Sequence, residues 1–181
     1  MTKHSTLFLG LALVVAGGVT LRFFSGCAYS LDAVEAAARS AHPEAPVIST
    51  SQLASWLADS SRTPLLLDAR EADEYAVSHL PGAVRVDPDA SADDLTNQLG
   101  GLAEAGEVVV YCSVGYRSGG VVERLREAGY ENVFNLEGSI FRWANEGRPL
   151  VRDGEPVGLV HPYNRTWGRL LHKDLRAPLD G

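Results

Sequence analysis

Short apolar runs that alternate with stretches of helical periodicity constrain this chain more than any other feature. "PVIST" precedes "SQLASWLADS", "PLLLDAR" precedes "EADEYAVSHL", "GAVRVD" precedes "SADDLTNQLGG", "EVVVYC" precedes "SGGVVERLREAG", and "NVFNLEG" precedes "SIFRWANEG". Leu65, Leu66 and Leu67 are apolar at successive positions, as are Val108, Val109 and Val110. A strand with one wet face alternates apolar with polar residues, whereas a strand covered on both faces does not. The pattern predicts an α/β domain of three layers, with a central, mostly parallel sheet flanked by helices. Val121, Val122, Leu125 and Ala128 share one helical face; Leu53, Trp56 and Leu57 share another, as do Phe141 and Ala144. These faces are expected to pack on the sheet.

The 181 residues suit one domain with a core of its own plus appendages. Residues 1–29 start with a basic Lys3, run apolar over residues 7–21 and stop at Arg22. That predicts an N-terminal hydrophobic helix serving as a signal peptide or membrane anchor. Three forms stay open: a signal-anchor helix, a secretory signal cleaved near Gly26, Cys27 and Ala28, and a lipoprotein signal ending at Cys27. Each places the protein at a membrane or beyond it, on the periplasmic face in a bacterium. Residues 30–46 are Ala-rich, broken at Pro43 and Pro46, and read as a helical stalk or linker. Residues 47–150 hold the domain. Residues 151–181 form a C-terminal extension with Trp167, Leu170 and Leu171 at helical spacing, expected to pack on the domain or to bind a protein partner.

The net charge of −7, with no cluster of Lys or Arg, argues against nucleic acid as a partner. The two cysteines, Cys27 and Cys112, form no C-x-x-C pair, and the five histidines are scattered singly. Metal ligation and dithiol redox chemistry are therefore not expected.

Cys112 is the candidate nucleophile. It follows an apolar strand directly, at the carboxyl end where open α/β sheets place their ligand sites. The small residues Ser113 and Gly115 let the next turn curl its N–H groups inward, and a helix beginning near Ser118 adds its positive end. Arg117 adds a permanent cation. Such surroundings lower a thiol's pKa from about 8.5 to about 3.5–7.5. The candidate substrate-binding residues are Ser113, Val114, Gly115, Tyr116, Arg117 and Ser118; Val114 and Tyr116 line the loop, either to tune which donor enters or to pack against neighbours. His79, ahead of the Pro81 and Gly82 turn, reads as a structural hydrogen-bonder.

Several ordered motifs resemble the rhodanese-like, or sulfurtransferase, family. "LLLDAREADEYAVSHLPGAVRV" carries Asp68, Arg70, Glu74, His79, Leu80, Pro81, Gly82 and Ala83; "VVVYCSVGYRSGGVVERLREAGYENVFNLEGS" carries the loop from Cys112 to Arg117; "RWANEGRPL" closes the likeness. The resemblance implies a rhodanese-like domain with Cys112 as catalytic residue and a cysteine persulfide intermediate, with no metal or organic cofactor. It further implies a small anionic sulfur donor such as thiosulfate and a thiol or cyanide as acceptor. Asp68 and Arg70 are expected to support the loop as scaffold. Four residues separate Cys112 from Arg117, as in sulfurtransferases, whereas the related phosphatases use a longer loop. The alternative reading is a membrane-tethered sulfur carrier, sensor or protein-docking module with little turnover.

Overall fold

The computed structural model describes residues 14–16, 19–21, 30–100 and 106–179. The hydrophobic helix expected within residues 1–29 lies outside the described residues, except where β1 (Val14–Ala16) and β2 (Val19–Leu21) pair as short antiparallel strands. Those six residues are extended, so no apolar N-terminal helix is described. Among the described residues, no helix is long and apolar enough to cross a membrane.

Helix α1 (Leu31–Ala41) occupies the stretch expected as a stalk and docks against the domain. Its Glu35 accepts from Arg142, Nε donating at 2.5 Å, and His42 at its C-terminal end pairs with Glu123 at 2.7 Å. The alternation then runs β3 (Val47–Ile48), α2 (Thr50–Ala58), β4 (Leu65–Asp68), α3 (Ala72–Val77), β5 (Val84–Arg85), α4 (Ala92–Leu99), β6 (Val108–Tyr111), α5 (Tyr116–Glu127), β7 (Val133–Leu136) and α6 (Ser139–Asn145). The strands form one sheet in the order β3, β7, β6, β4, β5, and every pairing in it is parallel.

The successive valines of β6 divide between two cores, as the sequence pattern requires. Val109 and Tyr111 join Leu53, Trp56, Ile140 and Phe141 on one side of the sheet; Val108 and Val110 join Leu95, Val121, Val122 and Leu125 on the other. With both faces covered, β6 is central, and its carboxyl end opens onto the edge where β4 and β7 also stop. Parallel strands gather their loops at one edge, which brings distant segments of sequence to one place.

Beyond α6, β8 (Leu150–Arg152) and β9 (Glu155–Val157) form an antiparallel hairpin joined to the domain by a bridge between His79 and Val151. His79 also stacks on Tyr75, with ring centroids 3.9 Å apart, which fits a structural role. Short 3-10 helices at Trp167–Leu170 and Lys173–Leu175 follow. Leu170 and Leu171 are buried in the same core as Phe141 and Trp143. Asn145 fastens the segment at two points, donating to the Leu170 carbonyl at 2.8 Å and accepting from the His172 N–H at 2.9 Å.

At the end of β4, Arg70 turns back on Asp68. Its Nε and Nη2 donate to the two carboxylate oxygens at 2.8 and 2.6 Å, and Nη2 donates also to the Ser78 carbonyl at 2.6 Å. Both side chains are fully buried. The pair fixes the turn that launches α3, and so the direction in which Glu74 points. Removing one member leaves an uncompensated charge in the interior, which costs about 3–5 kcal/mol. Asp68→Ala is expected to lower unfolding stability by that amount in a urea titration, far more than the loss of an exposed carboxylate.

Candidate active site

The sulfur of Cys112 sits one residue beyond the end of β6. The chain then reverses into α5 through Gly115, whose φ of +105° only glycine adopts without strain. This turn aims the Gly115 N–H at the sulfur, donating at 3.2 Å. Cys112 is 1 % exposed, so the loop closes around the sulfur and does not present it on an open shelf.

Burial is the largest influence on the thiol and raises its pKa. Against it act the charge of Arg117 and the N–H groups of Ser118 and Gly115, and together they bring the pKa below the ordinary thiol value. The Ser118 hydroxyl has only one proton to give. Asn135 Nδ2 donates to the Gly115 carbonyl at 2.9 Å, which turns Asn135 Oδ1 toward Ser118 Oγ at 2.7 Å. With the hydroxyl proton taken by Asn135, the backbone N–H groups and Arg117 carry the stabilisation of the thiolate.

The loop is held from outside by α6. The Cys112 N–H donates to Ser139 Oγ at 3.1 Å, the Ile140 N–H to the Cys112 carbonyl at 3.2 Å, and the Phe141 N–H to the Ser113 carbonyl at 3.1 Å. One helix terminus thus absorbs the loop carbonyls and leaves loop N–H groups free to face the sulfur.

Arg117 departs from the sequence expectation. It lies close enough for its charge to lower the Cys112 pKa, but its N–H edges engage Glu74 at 2.7 and 3.0 Å and Ser113 Oγ at 3.0 Å. Ser113 Oγ in turn donates to Glu74 at 2.9 Å. Glu71 approaches the same guanidinium at 3.9 Å. Burial raises the Glu74 carboxyl, and the Arg117 hydrogen bonds and charge more than reverse that, so it is ionised at neutral pH. The cation is therefore a buttress between α3 and the loop, with its N–H edges engaged before any reactant arrives while its charge still acts on the sulfur.

Two other expected residues divide. Tyr116 is partly exposed, its ring edge against His42 with centroids 5.1 Å apart. Val114 packs against its neighbours, its side chain buried in the core with Leu136 and Ile140. Asp68 and Arg70 make their side-chain hydrogen bonds away from the loop and act on it through the placement of α3. Cys27 lies outside the described residues. Among the described residues, no group of His, Cys, Asp or Glu is arranged to hold a metal ion.

Sequence reasoning missed Asn135, Ser139 and Tyr163. The first two had a signal, polar residues inside an apolar strand and at a buried helix start. Tyr163 had none: it reaches the loop from the C-terminal extension, its ring centroid 5.3 Å from Arg117 Cζ.

A covered parallel sheet whose central strand ends in a thiol, ringed by loop N–H groups, defines an α/β protein with a cysteine-centred anion loop. The chain belongs to the Rhodanese-like domain family, which matches residues 49–146, over half its length. It is 32% identical over 104 residues to a protein named Sulfurtransferase from Allochromatium vinosum, covering 58% of this chain and 92% of that one. It is 31% identical over 105 residues to the Probable adenylyltransferase/sulfurtransferase MoeZ of Mycobacterium tuberculosis, covering 56% of this chain and 25% of the relative, so it spans only a quarter of that protein. Among solved structures, the Rhodanese-like domain of an Anabaena protein superposes with a TM-score of 0.51 at 25% identity, covering 60% of this chain and 80% of that one.

Arg117→Met removes the charge that opposes burial of the thiolate. The pH midpoint of Cys112 alkylation by iodoacetamide is expected to move upward by about one unit or more, the size of a lost neighbouring opposite charge.

Proposed function

We propose that the protein transfers a single sulfur atom through a persulfide on Cys112. The observation that carries this is the thiol itself, lowered in pKa despite burial by the charge of Arg117 and by loop N–H groups directed at its sulfur. The thiolate attacks the sulfane sulfur of thiosulfate, the S–S bond breaks, sulfite leaves with the bonding pair, and Cys112 holds the sulfur as a persulfide anion. Cyanide or a thiolate then attacks the outer sulfur, and the Cys112 thiolate returns as leaving group. Each step conserves charge and needs no external oxidant or reductant. Loop N–H groups and the start of α5 stabilise negative charge on either sulfur. A loop this closed suits a one-atom cargo better than a tetrahedral oxyanion, which counts against phosphatase chemistry.

Two findings favour a second reading, a sulfur carrier or docking module with little turnover: the sulfur is nearly inaccessible, and Arg117 is already engaged by Glu74. Cyanide-dependent formation of thiocyanate separates the two. Membrane attachment or export through residues 1–29 belongs to the same proposal and rests on sequence alone.

Thiosulfate is expected to add the mass of one sulfur atom to the full-length protein, on Cys112, and Cys112→Ser is expected to add none. An unchanged mass in the parent, or an equal gain in the variant, would contradict the proposal.

A further inference from the structure

One residue that reaches Arg117, Tyr163, lies outside the residues matched to the family. Tyr163 places its ring 5.3 Å from the guanidinium carbon, while Glu74 and Ser113 occupy the N–H edges. The ring lies within the distance at which an aromatic face attracts a guanidinium. The tyrosine is 46 % exposed, so it also faces whatever enters from solvent.

Holding it there strains the backbone. Tyr163 has a φ of +63°, a conformation costly for a bulky residue, at the center of a three-residue turn closed by the Asn164 N–H on the Pro162 carbonyl at 2.7 Å. The turn is pinned on both sides. The Tyr163 N–H donates to His161 Nδ1 at 3.1 Å, and Asn164 Oδ1 accepts from the N–H groups of Thr166 and Trp167 at 2.9 and 3.0 Å. Gly168 packs so close beneath it that a Cβ there would lie 2.7 Å from the Pro162 side chain. Leu170 and Leu171, buried in the domain core, anchor the whole segment. A strained residue, held from several directions and aimed at the site, is where a fold stores a functional constraint.

We propose that Tyr163 is a positioning residue that preorganises Arg117 for the sulfur donor that reacts at Cys112. This rests on the sulfur-transfer reading. A guanidinium fixed before the donor binds need not be ordered during binding, so the ring acts on donor affinity more than on the chemical step.

The test is steady-state kinetics of the full chain with thiosulfate as donor probe and cyanide as acceptor, comparing the parent with Tyr163→Ala and Tyr163→Phe, alongside thermal unfolding of each. Tyr163→Ala is expected to raise KM for thiosulfate about two- to five-fold, the size of one cation–π contact at a partly exposed site, with kcat unchanged. Tyr163→Phe keeps the aromatic face and is expected to restore the parent KM. A general loosening of the fold would lower the unfolding temperature and kcat together, and that result would overturn the proposal. So would a Tyr163→Ala enzyme with the parent KM, or a Tyr163→Phe enzyme that behaves like Tyr163→Ala. A parent that takes no sulfur from thiosulfate would overturn the functional reading and this inference with it; a parent that loads normally while Tyr163→Ala matches it overturns this inference alone.

Discussion

The structure depends on keeping a negative charge on a sulfur atom that is almost wholly removed from water. Burial alone drives a thiol toward its neutral form, because the charged form loses its hydration. The offset comes from groups that cannot move away: the Gly115 N–H on the sulfur, the Ser118 N–H behind it, and the charge of Arg117. Two of the three are backbone, so the sheet and helix that hold the loop are as much part of the site as any side chain.

That explains why buried polar residues cluster around the loop. Asn135 takes the Gly115 carbonyl and the Ser118 hydroxyl, Ser139 takes the Cys112 N–H, and the start of α6 takes two loop carbonyls. Each of these groups would otherwise be stranded in the interior, and each constrains where neighbouring N–H groups can point. Glu74 does the same for Arg117 and is itself placed by the buried Asp68 and Arg70 pair at the root of α3. The chain of support runs from β4 through α3 to the loop, with the C-terminal extension closing the far side.

The sheet was legible because its cause is local. Consecutive valines and leucines can be satisfied only by a strand covered on both faces, and β4 and β6 are such strands. Cys112 was legible for a related reason, since its place after such a strand and before a small-residue turn is visible in the chain. What could not be read were relations between distant segments. The partner of Arg117 could not be named, because Glu74 lies 43 positions away on α3. Val114 could be read either as lining the mouth or as packing inward, because no local periodicity marks which way a loop side chain folds. Tyr163 was invisible, because only the tertiary packing of Leu170 and Leu171 brings it to Arg117. The apolar segment of residues 1–29 is strongly marked in sequence, but it falls almost entirely outside the described residues.

The most direct measurement follows the Cys112 Cβ carbon and the amide protons of Gly115 and Ser118 by NMR across a pH titration. All three signals are expected to shift together with one midpoint, below that of an ordinary thiol. A midpoint at or above the ordinary value, or amides that fail to move with the sulfur, would contradict the account.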